Sequence, residues 1–156
     1  MTESAITHAH GRTAAVDRVE DTALHQLVQL VKSTRSELAR QLAKVDLYIG
    51  QEQVLIQLWR HDGLSQAELV ELVQTMPSTM TKMLQRMERA GLVRRERAGS
   101  RGRASRVFLT DKGRALQPAT ERLWGAVDEW LVARLDPGER AQLRELLRKV
   151  RGAESS

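Results

Sequence analysis

The sequence predicts a mainly α-helical fold with one small β-hairpin, in which a head of short helices is flanked by two longer helical segments. Three observations carry this. Apolar residues recur at three- and four-residue steps over most of residues 19–151, the helical period. Gly63, Pro77, Gly91 and the pair Pro137-Gly138 cut that pattern into pieces. Only RVFLT, residues 106–110, alternates as a half-buried strand does.

At 156 residues the chain suits one domain with helical extensions rather than two independent domains. Hydrophobic residues form 41% and charged ones 29%, which is globular rather than disordered composition. No run of about 18 apolar residues is present to span a bilayer. The N-terminus carries polar and acidic residues where a signal peptide needs an apolar stretch, so a cytoplasmic protein without membrane association is expected. The lack of cysteine excludes disulfides, thiolate metal sites and thiol-based oxidant sensing by the chain.

Residues 1–18, rich in Thr, Ala, His and Gly without periodicity, are expected to form a flexible arm. Leu24, Val28, Val31, Leu38, Leu42 and Val45 then make one stripe on a long helix. After a link around Leu47–Gly50, Val54, Leu55, Leu58 and Trp59 share one face of a short helix that stops at Gly63. Ser65 with Glu68 three residues on forms a capping box that starts the next helix, whose Leu69, Leu72, Val73 and Met76 should face inward. Pro77 opens a further helix, with Met80, Met83, Leu84 and Met87 as its apolar face and Gly91 past its end. Three methionines at helical spacing read as core filling.

Leu92-Val93 and RVFLT then frame a hairpin whose turn is AGSRGRAS. From Asp111, Leu116, Leu123, Val127, Trp130, Leu131 and Leu135 describe a long amphipathic helix with an interruption near Pro118, and Pro137-Gly138 breaks it. A last helix from about Glu139 to Arg151 aligns Leu143, Leu146, Leu147 and Val150. The expected division is thus an arm at 1–18, a head at 50–111, and helical dimerisation segments at 19–46 and 112–152.

Helix, helix, turn, helix and basic hairpin is the layout of a winged helix-turn-helix, which places one helix in a major groove and its hairpin over the neighbouring minor groove. The helix from Pro77 is the expected recognition helix. Its other face carries Ser78, Thr79, Thr81, Lys82, Gln85 and Arg86, short hydroxyls, an amide and cations suited to phosphates and base edges. Ser65 and Gln66, opening the preceding helix, are expected at a phosphate.

Charge is concentrated in the hairpin. Arg94, Arg95, Arg97, Arg101, Arg103 and Arg106 against Glu96 alone give residues 94–106 a formal charge of +5, equal to that of the whole chain. Such a cluster releases counterions on meeting phosphates, and arginine suits a narrow minor groove. Arg95, Arg97, Ser100, Arg101 and Arg103 are the wing residues expected to meet double-stranded DNA. A solvated basic loop is the plainer alternative.

Residues 64–116 resemble the DNA-binding core of the MarR family of winged helix-turn-helix regulators. The family's STVT corresponds to Ser78-Thr79-Met80-Thr81, its LE-x-x-GLV-x-R to Met87-Glu88, Gly91-Leu92-Val93 and Arg95, and its LT-x-x-G to Leu109-Thr110 and Gly113. With its flanking helices the likeness covers about residues 20–150. It implies a homodimer with interlaced terminal helices on a pseudo-palindromic operator, a repressor as the expected mode, and release by an unidentified small molecule. One departure stands out: where the family's wing carries Asp-Arg-Arg, this chain has Arg101-Gly102-Arg103. Without the aspartate the wing is more purely electrostatic, with Arg103 first and Arg101 second as minor-groove residues.

The likeness also implies a ligand cleft between head and terminal helices. Tyr48, Trp59 and Trp124 are the residues expected at its border, with core packing the alternative for each. His8, His10, His25 and His61 read as solvated side chains rather than zinc ligands, and no metal or cofactor is expected. No nucleophile elbow, phosphate loop or paired histidine-glutamate motif supports an enzyme. The competing function is a non-specific architectural DNA binder, followed by a protein-interaction adaptor that uses the helices as a scaffold.

Overall fold

The computed structural model describes residues 18–97 and 105–152. The chain divides into two units at Ser33/Thr34, a boundary that falls inside the first long helix.

Among the described residues, the first unit holds a 3-10 turn, Val19–Asp21, and the beginning of α1 (Ala23–Leu42). Thr22 caps this helix: its Oγ1 accepts from the His25 amide at 3.1 Å. The expected stripe of Leu24, Val28 and Val31 lies exposed here, with Leu24 at 72%.

The second unit begins with the rest of α1 and another 3-10 turn, Ala43–Val45, that ends on Asp46 in the left-handed region. There follow α2 (Gln51–Arg60), β1 (Leu64–Ser65), α3 (Gln66–Val73) and α4 (Pro77–Arg89). The hairpin strands are β2 (Val93–Arg97) and β3 (Ser105–Leu109), and the chain closes with α5 (Asp111–Ala115), α6 (Gln117–Leu131) and α7 (Pro137–Val150).

β1 is an addition to the sequence reading. It pairs antiparallel with β3, Leu64 opposite Val107 and Ser65 opposite Arg106, to give a three-stranded sheet of order β1-β3-β2. Two residues are too short for alternation to reveal a strand, and Ser65 is also the cap of α3. β2 meets β3 in register from Val93 opposite Leu109 to Arg97 opposite Ser105.

The predicted interruption of the C-terminal helix is real and falls at Leu116. Pro118 has no N–H to donate to the Arg114 carbonyl, so α5 stops and α6 starts afresh with proline in its first turn. Gly113, inside α5, is buried against β2's approach, where a Cβ would stand 2.2 Å from the Leu92 carbonyl oxygen. Only glycine fits that seam.

One core unites the head. Leu55 and Leu58 of α2, Leu69 of α3, Met80, Leu84 and Met87 of α4, Val93 of β2, and Val107 and Leu109 of β3 are all buried in it. The core extends beyond the expected head limits of 50–111, because Leu42 of α1, Leu47 and Leu123 of α6 belong to the same cluster. Two expected inward residues are corrected: Leu72 is 52% and Met76 68% exposed. α3 has only eight residues, and Gln74 turns left-handed at its end, so Met76 stands beyond the helix and leaves its stripe.

Leu84 has no solvent exposure, so Leu84→Ala is expected to destabilise the fold by about 2–5 kcal/mol, measured by urea unfolding. A loss under about 1 kcal/mol would contradict this account of the core.

Candidate nucleic-acid interface

α4 presents two faces. Its inner one is fixed by Met80, Leu84 and Met87, while Ser78, Thr79, Lys82, Gln85 and Arg86 are exposed on the other. Pro77 at the first helical position supplies the correct φ, and the cap residue Met76 has no side-chain hydrogen bond, so the first-turn amides face outward without a capping side chain. A helix terminus of this kind favours anions.

Two of the expected contact residues hold each other. Gln66 Nε2 donates to Thr81 Oγ1 at 2.7 Å, and that hydroxyl donates to the Pro77 carbonyl at 3.0 Å. Both are half-buried, and they pin α3 to α4 across the turn. Ser65 is occupied as a cap: its Oγ accepts from the Glu68 amide while the Glu68 carboxylate accepts from the Ser65 amide. The exchange of hydrogen bonds holds the Glu68 carboxyl below its ordinary range, led by the bond from the Ser65 backbone.

The hairpin's basic character is partly spent within the fold. Arg95 reaches back from β2 to Glu88 of α4, with 3.2 Å between Nε and the carboxylate, and its Nε and Nη2 have no well-aligned hydrogen bond. Arg94 pairs with Glu96 and lies over the Phe108 ring, 5.0 Å from its centroid. Arg106 Nη1 donates to the Gly63 carbonyl at 2.7 Å. Ser100, Arg101 and Arg103, together with the side chain of Arg97, lie outside the described residues, as does the arm with His8 and His10.

The family model described as "MarR family" matches residues 47–103. The transcriptional regulator HosA of Escherichia coli is 32% identical over 85% of this chain and 96% of its own length. The chain belongs to the MarR family.

A second MarR-family relative, the transcriptional repressor Rv2887 of Mycobacterium tuberculosis, is 32% identical over 74% of this chain and 84% of its own. Its crystal structure in complex with DNA aligns with a TM-score of 0.69 at 27% identity, covering 83% of this chain and 97% of that one. Its complex with salicylic acid gives 0.68 at 29%, covering 83% and 96%. The protein is therefore a MarR-family transcriptional regulator with a winged-helix head. Among the described residues, no helix is long and apolar enough to cross a membrane.

The expected ligand border separates into two places. Trp59 and Trp124 line one cleft of about 230 Å3 between α2 and α6, with Ile56, Arg60, Gln117, Thr120 and Glu121. Tyr48 lines another of about 270 Å3 beside α4, with Thr79, Lys82, Met83 and Arg86. The reason is that Tyr48 precedes α2 and Trp59 sits near its end, so a ten-residue helix of about 15 Å separates them. Nor is Tyr48 a core residue, being 74% exposed. Trp59 is anchored differently, its Nε1 donating to the Gly113 carbonyl of α5 at 3.0 Å.

A buried carboxylate that periodicity gave no reason to notice stabilises the turn beside α4. Glu52 is 2% exposed, and its Oε2 accepts from the Gly50 amide at 2.7 Å. Gly50 has φ +98° and lies so close to Met83 of α4 that a Cβ would meet its Cε at 2.7 Å. Burial raises the Glu52 carboxyl above its ordinary 4.5, against the hydrogen bonds it accepts and the charge of Arg35. A raised folded-state value means that Glu52's contribution to stability is complete below 4.5 and is lost as pH rises through that higher value. The Tm of Glu52→Gln relative to the native protein should therefore climb as pH increases from 4.5 through that value. Melts across pH 4–8 check it, and a constant difference would contradict the assignment.

Proposed function

We propose that the protein is a repressor that binds a pseudo-palindromic operator as a homodimer, reading bases with α4 and gripping the backbone with the β2–β3 hairpin. The observation that carries this reading is the exposed set Ser78, Thr79, Lys82, Gln85 and Arg86 on a helix whose opposite face is locked in the core. Hydroxyls and an amide can exchange hydrogen bonds with base edges, whereas Lys82 and Arg86 suit guanine or phosphate. The structure of Rv2887 with DNA supports DNA as the partner, and that relative's designation as a repressor supports the mode. Gln66 and Thr81 act within this scheme by holding α3 and α4 together.

Dimerisation is supported by apolar surface at each end of the chain. In the first unit α1 exposes Leu24, Val28 and Val31; in the second, α6 exposes Trp130 and α7 exposes Leu146, Leu147 and Val150. Ion pairs from Arg140 to Glu129 and from Arg144 to Asp128 tie α7 to α6 but leave its apolar stripe open, and a second copy supplies a cover. Release by a small molecule is supported by the salicylic acid complex of Rv2887 and by the α2–α6 cleft. Its roughly 230 Å3 lies below the usual range for drug-sized ligands and suits a single-ring compound.

Site selection with purified protein against random duplexes tests the reading, and equal affinity for all sequences would favour the architectural alternative. On the selected site, Thr79→Ala and Gln85→Ala should each reduce discrimination by about 1–3 kcal/mol while affinity for random DNA changes little. Arg103→Ala should weaken binding to every sequence and reduce the salt slope by about 1. Light scattering should give twice the 17.6 kDa chain mass at micromolar concentration. A monomer there would exclude the dimer.

A further inference from the structure

Asp62, between α2 and β1, makes more connections across the head than its position in a loop suggests. Its Oδ1 accepts from the Leu109 amide at the end of β3 (2.9 Å) and from the Gly63 amide (3.1 Å). Its Oδ2 accepts from Arg114 Nη2 of α5 at 2.6 Å. The neighbouring residue completes a clasp. The Gly63 amide also donates to the Val107 carbonyl at 3.1 Å, and the Gly63 carbonyl accepts from Arg106 Nη1 at 2.7 Å. Gly63 itself must be glycine, having φ +81° and the Phe108 ring 2.6 Å from where its Cβ would be.

Three consecutive strand residues, Arg106, Val107 and Phe108, and the amide of Leu109 are thus seized by Asp62 and Gly63 of the loop between α2 and β1. Arg94 rests on Phe108 from the opposite strand, so the grip passes to β2. β1 is only two residues long, with Leu64 and Ser65 as its whole pairing with β3. So short a ladder fixes an angle poorly, whereas a carboxylate oxygen that also holds the Leu109 amide of β3 fixes it well.

We infer that Asp62 is the positioning residue of the wing, setting the angle of the β2–β3 hairpin to the α3–α4 pair and so deciding whether its cations reach the DNA backbone when α4 is docked. This rests on the winged-helix reading of DNA binding given above. Asp62 does not touch DNA in this scheme. It acts through β3.

The sign of the expected effect separates positioning from charge. Asp62→Ala removes a negative charge from a DNA-binding surface, which by electrostatics alone strengthens binding. Positioning predicts the reverse. On the selected duplex and a random duplex, titrated at several salt concentrations, Asp62→Ala should lose about tenfold in affinity on both, with a shallower salt slope. The preference between the two duplexes, set by α4, should persist. Asp62→Asn keeps an acceptor for the Leu109 amide and should restore native affinity and slope. If circular dichroism shows that the alanine variant is unfolded, Asp62→Ser replaces it, because its hydroxyl is one bond too short to reach Leu109 while still able to cap Gly63.

Native or tighter binding by Asp62→Ala or Asp62→Ser with an unchanged slope overturns the proposal. So does an equal loss in Asp62→Asn, which would make the Arg114 ion pair and not the strand anchor the operative bond. Collapse of duplex preference along with affinity also overturns it, since that is damage to the head as a whole. A native protein that binds neither duplex overturns the DNA-binding reading itself, an outcome seen before any variant is compared.

Discussion

Met80, Leu84 and Met87 have no solvent exposure, and their burial fixes the rotation of α4 about its own axis. A helix has one face to give away for each face it buries. With residues 80, 84 and 87 inward, positions 78, 79, 82, 85 and 86 point out together, and the polar surface of the head follows from the packing of its core. The Gln66–Thr81 bond and the Glu88–Arg95 contact then limit sliding and tilt, one towards α3 and the other towards β2. These contacts do for position what the methionines and leucine do for rotation. A weakening of either would leave the residues exposed but badly aimed.

The electrostatics of the hairpin divide into an internal and an external share. Arg94, Arg95 and Arg106 spend their charge within the described fold, on Glu96 and Phe108, on Glu88, and on the Gly63 carbonyl. Formal charge along the sequence therefore overstates how much positive surface the two strands themselves offer a phosphate. An arginine paired in the fold still contributes to the long-range field, but it holds its geometry with bonds that a backbone contact must displace.

Much of this fold was legible in the sequence because the helices of its head bury one stripe each and are punctuated by Gly, Pro and a capping box. Ser65 with Glu68 announced the start of α3, and Pro77 that of α4, through local hydrogen bonding and φ preference alone. β1 was not legible, since two residues show no period. The exposure of Met76 was hidden for another reason: apolar character says what a side chain tolerates, and only the end of α3 at Gln74 decides where it stands, while Leu72 lies inside α3 on its open side. Of the site, residue types on α4 were readable from spacing. The internal roles of Gln66, Thr81 and Arg95 were not, because each partner lies on another element, up to 15 residues away for Gln66. Asp62 joins residues 47 and 52 positions distant, beyond any local pattern.

The close seam at Gly113 has a consequence for what the signature around it means. The Leu92 carbonyl oxygen occupies the place a side chain would need, while Thr110 caps α5 by accepting from the Gly113 amide and its own hydroxyl reaches the carbonyls of Gly91 and Leu92. Leu109, Thr110 and Gly113 are thus required by the joint between hairpin and helix. The exposed side chains of α4 take no part in that joint, so the joint and the outer face of α4 can change independently of each other.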